Sequence, residues 1–132
     1  MELSFIVVDD SELDCFIARK IIEHADGRLK VTTYPEVHEA LTAINNNLSA
    51  APTTIILLDL QMPTMNGFQF VEEFEQLPAE IQKNYFVVIL SSSRNSNDLS
   101  RILAYNCVQS TLEKPFTREK LLSVIMQVQN GG

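Results

Sequence analysis

Short apolar runs alternate with stretches of helical periodicity along the whole chain, and this alternation narrows the fold more than any other feature. Phe5-Ile6-Val7-Val8, Leu29 to Tyr34, Thr53 to Leu58, Phe86 to Leu90 and Val108 to Leu112 read as strands. Glu12 to His24, Glu36 to Asn46, Phe68 to Gln76, Asp98 to Tyr105 and Thr117 to Gln129 read as helices. In the last helix Leu121, Leu122, Ile125 and Val128 share one face, and Thr117 is placed to act as its N-cap. Strict alternation of five strands with five helices, with central strands apolar on both faces, predicts a parallel sheet covered on each side.

The second strand is the more polar and belongs near an edge, while strands 1, 3 and 4 belong in the middle. The expected fold is α/β and flavodoxin-like: a three-layer sandwich with strand order 2-1-3-4-5. Ligands of such sheets sit at the carboxyl ends of the strands, at the switch point between strands 1 and 3. A dinucleotide-binding sheet would carry G-x-G-x-x-G after strand 1. Asp9-Asp10-Ser11-Glu12 stands there instead and would repel phosphates.

At 132 residues the chain suits one domain, 1–132, large enough to bury a core without disulfides or a structural metal. A net charge of −7 argues against direct nucleic-acid binding, which rests on basic contacts to phosphates. No apolar run is long enough to span a membrane. Met1-Glu2-Leu3-Ser4 lacks the basic start of a signal peptide, so a cytoplasmic location is expected. Cys15 and Cys107 sit among apolar residues and read as reduced, packed cysteines. His24 and His38 read as surface residues, and Met62 and Met65 as loop packing.

Chemistry-bearing residues collect just after the strands. Strand 1 ends in Asp9 and Asp10, strand 3 in Asp59, strand 4 in Ser91-Ser92-Ser93, and strand 5 in Glu113-Lys114-Pro115. Each alone has an ordinary explanation: a helix cap, a turn former, a solvated loop, a Lys-Pro turn. A parallel sheet nevertheless brings all of them to one crevice. Each close pair of carboxylates there costs on the order of 4 kcal/mol at an effective dielectric of about 20. Lys114 can neutralise one charge, and a divalent cation suited to oxygen ligands, Mg²⁺ or Mn²⁺, can offset the rest. Open positions on such a cation suit phosphate oxygens.

With these residues in view, the chain resembles the receiver domain of bacterial two-component response regulators over essentially its whole length. Asp59-Leu60-Gln61-Met62-Pro63-Thr64-Met65-Asn66-Gly67 is similar to the family's D-x-x-M-P-x-M-x-G run. The acidic pair follows strand 1, and Lys114-Pro115-Phe116 resembles the family's K-P-F/L ending. The resemblance implies that Asp59 is the phosphoacceptor. It implies Mg²⁺ held by Asp10 and Asp59, with Asp9 acting directly or through water and Gln61 offering its backbone carbonyl. Ser91 would be the switch hydroxyl, and Lys114 would bind the phosphoryl group, its bond to Pro115 being a candidate for the cis form. The implied partners are a sensor histidine kinase or histidine phosphotransfer protein and a downstream target protein. The implied output surface is the helix at Asp98–Tyr105, strand 5 and the last helix. Gln61 and Ser93 would flank the water that removes the phosphoryl group.

The pattern departs from the family at Thr111, where an aromatic residue usually stands three positions before the lysine. Threonine cannot fill that volume, which puts the usual coupling from site to surface in question. Asn106 stands near a position where the family often has Gly to end a helix, and Asn tolerates the left-handed cap. Counting back from Lys114 with the commonest spacing gives Ser92 as the switch residue. Ser91 is preferred because it directly follows Val87-Val88-Ile89-Leu90, with one extra residue expected in the helix connection before strand 5. Two other functions remain in view. A phosphohydrolase with Asp59 as nucleophile would need an acid at Gln61, and a phosphate-independent binding module would be favoured by Thr111.

Overall fold

Continuously apolar runs need cover on both faces, and here they receive it. The computed structural model describes residues 3–46, 53–60, 67–92 and 96–131. Its strands are β1 (Leu3–Val8), β2 (Lys30–Tyr34), β3 (Thr53–Asp59), β4 (Tyr85–Ser91) and β5 (Val108–Glu113). Its helices are α1 (Glu12–Ala25), α2 (Val37–Asn45), α3 (Gly67–Phe74), α4 (Ala79–Gln82), α5 (Ser96–Leu103) and α6 (Arg118–Gly131). All strand pairs are parallel, in the order β2-β1-β3-β4-β5. This is the expected flavodoxin-like sheet, with polar β2 at one edge.

The strand period of two divides the core into two layers. Ile6, Val8, Ile56, Leu58, Val87 and Ile89 pack on one face with Ile44 of α2, Phe70 and Phe74 of α3, and Ile102 of α5. Phe5, Val7, Ile55, Leu57, Val88 and Leu90 pack on the other with Ile22 of α1 and Leu121, Val124 and Val128 of α6. Phe74 joins its layer together: its ring stacks on Phe70 at 6.0 Å and meets Tyr85 edge-on at 6.2 Å. Thr117 is the N-cap of α6, accepting from the Lys120 N–H at 3.2 Å. His24 and His38 are exposed, as expected. Cys15 and Cys107 are free thiols.

Leu122, expected on the packed face of the last helix, is exposed, and Val124 is buried beside Leu121 and Val128 instead. Three further expectations need correction. The alternation is not strict, because the one-turn helix α4 follows α3 before β4 begins. Pro78 supplies its start with φ already near the helical value, and Gln82 Nε2 donates to the carbonyls of Leu77 at 2.7 Å and Glu75 at 3.2 Å. One turn is too short to show a period in sequence. Second, Tyr105 lies beyond the end of α5, in the turn that leads to β5. Third, the extra residue before Lys114 is not in the helix connection. Val87 pairs with Val108 but Val88 pairs with Ser110, so β5 itself holds the extra residue as a bulge at Gln109.

Among the described residues, no helix is long and apolar enough to cross a membrane.

Candidate functional site

The sheet register decides what meets at its carboxyl edge. Val8 lies beside Leu58, Asp59 beside Leu90, and Ser91 beside Glu113. The ladder runs on for one residue past the strands. Asp9 N–H donates to Tyr34 O at 3.1 Å, Leu60 N–H to Leu90 O at 3.0 Å, and Lys114 N–H to Ser91 O at 2.9 Å. Backbone bonds therefore fix the residues that carry the chemistry, as a rigid element does better than a free loop.

Asp9, Asp10 and Asp59 present carboxylate oxygens that all lie within 4.8 Å of one another. Asp9 and Asp59 are buried and Asp10 is exposed. Lys114 reaches into this group, its Nζ lying 3.4 Å from Asp9 Oδ2 and 3.5 Å from Asp59 Oδ2. The Lys114–Pro115 peptide is cis, and Lys120 Nζ donates to the carbonyls of Glu113 and Pro115 on either side of it. Ser91 is buried at the end of β4 and Ser92 is exposed. Gln61, Met62, Met65 and Ser93 lie outside the described residues.

Burial pushes the Asp9 carboxyl above its ordinary value, against the opposing pull of the Ser11 N–H and of Lys114. Burial works to lower the Lys114 ammonium, but its bond to Asp14 and the charges of Asp59, Asp9 and Asp14 together hold it above its ordinary value. Cys15, whose Sγ donates to Asp9 O at 3.3 Å, is pushed up to about 11, chiefly by burial and then by Asp9 and Asp14. It is an inert thiol at neutral pH.

A divalent cation fits this cluster. The donors of the triad are all carboxylate oxygens, the kind a hard cation takes, and their mutual repulsion exceeds what one ammonium can offset. Asp9, Asp10 and Asp59 can therefore hold a metal ion.

Gly67, the last residue of the motif run, has a steric reason. A Cβ there would lie 3.2 Å from Leu60 Cα and 3.1 Å from Leu60 Cδ1, and Gly67 N–H donates to Leu60 O at 3.0 Å. Glycine lets α3 start against the strand end that carries Asp59.

One neighbour of the site escapes the sequence reading. Asp14, in the first turn of α1, places Oδ2 3.1 Å from Lys114 Nζ, closer than either buried aspartate. Its position in Ser11-Glu12-Leu13-Asp14 has the spacing of a helix-capping acid, and nothing in the linear order links it to a lysine on β5's far end.

The α5–β5 edge is tied to α3. Arg101 lies over the Phe68 ring at 4.3 Å, Tyr105 Oη donates to Glu72 Oε1 at 3.0 Å, and Cys107 N–H donates to Glu75 Oε2 at 3.0 Å. Thr111 is half-buried beside Ile89.

Residues 5–126 match the family described as the response regulator receiver domain. The chain is 36% identical over 91 residues to the protein-glutamate methylesterase/protein-glutamine glutaminase of Treponema pallidum, covering 69% of this chain and 21% of that protein. It is 24% identical over 122 residues to the sensor histidine kinase GacS of Pseudomonas protegens, covering 92% of this chain and 13% of the kinase. The chain thus spans a small part of either relative. The crystal structure of a response regulator receiver protein from Dyadobacter fermentans superposes with a TM-score of 0.85 at 29% identity, covering 95% of this chain and 96% of that one.

Proposed function

We propose, from the premise that this chain belongs to the response regulator receiver domain family, that Asp59 accepts a phosphoryl group from a phosphohistidine. Members of that family are signalling phosphoacceptors rather than conventional enzymes, and they partner with histidine kinases. The observation that carries the assignment is the meeting of Asp59 with Lys114 at 3.5 Å and with Asp9 and Asp10 within 4.8 Å, at the ends of three strands.

On this reading a carboxylate oxygen of Asp59 attacks phosphorus. The P–N bond to the partner's histidine breaks, its electron pair stays on the imidazole, and an acyl phosphate forms on Asp59. Mg²⁺ held by Asp9, Asp10 and Asp59, with Gln61 offering its backbone carbonyl, would supply positive charge beside the transferring group. Lys114 orients the phosphoryl oxygens and balances charge that develops on them. Catalysis of this type is mostly positioning and electrostatics, which a preorganised lysine provides. Hydrolysis later removes the group, so the chain promotes its own phosphorylation and dephosphorylation.

Ser91, buried beside Asp59's strand end, is the hydroxyl that would donate to the new phosphoryl oxygens. The phosphoryl group adds nearly two negative charges and three acceptors, enough to bias a two-state loop. The readout surface would be α5, β5 and α6, where Leu103, Leu122 and Met126 are exposed and an open hollow of about 810 Å³ lies between Gln109 and Met126. A downstream target protein would dock there. Residues 1–132 would act as one receiver domain, in the cytoplasm and without direct contact to nucleic acid.

The test is incubation with acetyl phosphate, with and without Mg²⁺, read by intact mass. A gain of one phosphoryl group that needs Mg²⁺ and vanishes in Asp59→Asn is expected. A gain that survives Asp59→Asn, or no gain at all, would contradict the assignment.

A further inference from the structure

Lys114 makes its shortest contact with a residue outside the motif run. Its Nζ lies 3.1 Å from Asp14 Oδ2, against 3.4 Å to Asp9 and 3.5 Å to Asp59. Local sequence explains why the Asp14 carboxylate is available. Ser11-Glu12-Leu13-Asp14 has the S-x-x-D spacing of a capping box, in which the acid turns back to the N-cap N–H. Half of that box forms, since Ser11 Oγ accepts from the Asp14 N–H at 3.2 Å. The other half is pre-empted, because the Ser11 N–H already donates to Asp9 Oδ1 at 2.9 Å. Asp14 is thereby released from capping and turns to Lys114.

The three carboxylates around Lys114 differ in what losing the ammonium would cost them. The Asp9 and Asp59 side chains are 3% and 8% exposed, so taking a counter-charge away from either is expensive. The Asp14 side chain is 44% exposed and keeps water when the lysine leaves. Asp14 is therefore the partner that Lys114 can give up most cheaply when a phosphoryl group arrives on Asp59.

We propose that Asp14 is a positioning residue: it holds Lys114 turned partly away from Asp59 and competes with the phosphoryl group for the ammonium. This rests on the phosphoacceptor reading above. Asp14 then weakens the site's hold on a phosphoryl anion, and removing its charge strengthens it.

Beryllofluoride, an anion shaped like a phosphoryl group, tests this by calorimetric titration in the presence of Mg²⁺. Asp14→Asn is expected to bind it roughly three- to tenfold more tightly than the wild type. In a Lys114→Met background the same substitution should change affinity by less than about twofold, because the competitor has nothing left to withhold. Equal affinity of wild type and Asp14→Asn would overturn the proposal. So would a gain of the same size in both backgrounds, which would mark a general charge effect. Melting curves check that each variant folds. Should Lys114→Met not fold, a crystal structure of the wild-type beryllofluoride complex decides: the Lys114–Asp14 pair is expected open, and a pair still closed contradicts the proposal. A wild type that takes up no beryllofluoride would instead contradict the phosphoacceptor reading, and this role with it.

Discussion

The carboxyl ends of β1 and β3 and the α5–β5 edge are built on opposite principles. At the first, every strand residue behind the acids except Thr53 is buried, and backbone bonds extend the ladder to Asp9 and Leu60. At the second, β5 is half exposed and bulged, and α5 and the turn after it are held from outside by the Arg101–Phe68 and Tyr105–Glu72 contacts. On the proposed function, the difference separates two tasks. Clustered buried carboxylates store repulsion and need a rigid frame. A surface that changes on signalling needs elements of low local stability. Thr111 sits where the two meet, half-buried beside Ile89 of the rigid centre.

Truncation at the centre should hurt most. Leu57→Ala, in the fully buried part of β3, is expected to cost about 3–4 kcal/mol in urea unfolding. Leu112→Ala on partly buried β5 should cost about half as much. Equal losses would erase the contrast between centre and edge.

Next in size is the loss of the Lys114 ammonium, which faces both buried acids. Lys114→Met is expected to slow Mg²⁺-dependent phosphoryl uptake from acetyl phosphate about 100-fold. Uptake at the wild-type rate would remove Lys114 from the chemistry.

A smaller effect follows from Asp9. Its carboxyl titrates above the ordinary value of 3.8 because it is buried. Between 3.8 and the raised native value, the folded protein keeps a proton that the unfolded chain has lost. Stability therefore falls as pH rises through that window, and the cost of charged Asp9 is borne at neutral pH. In chelator-treated protein Asp9→Asn should be more stable by about 1 kcal/mol at neutral pH. The gain should shrink near about pH 3, where both states of the wild type are protonated. A gain independent of pH would point to packing rather than charge.

The smallest expected change is at the edge itself. Tyr105→Phe removes the bond to Glu72 on an exposed surface and should cost less than about 1 kcal/mol. Amide hydrogen exchange at Ile102 to Val108 should quicken while β3 stays protected. Faster exchange in β3 instead would show that the two regions are not separable.

What the linear sequence discloses follows the same divide. Unbroken apolar runs such as Ile55-Ile56-Leu57-Leu58 predict the central strands, and through them the convergence of Asp9, Asp59 and Lys114. Polar β2 identifies its own edge. The helix α4 is hidden because one turn has no period, and the bulge at Gln109 because it follows from pairing rather than composition. Asp14 is hidden for a different reason. Its partner is a hundred residues away in sequence, and its local spacing advertises a cap that Asp9 has already displaced.

As the proposed acceptor, Asp59 takes the phosphoryl group and no neighbouring carboxylate does. Borohydride reduction of acetyl phosphate-treated protein converts a phosphorylated aspartate to homoserine, which peptide mass spectrometry can place. Homoserine at residue 59, formed only when Mg²⁺ was present, is the expected result. Homoserine at Asp9, Asp10 or Asp14, or at none of them, would contradict it.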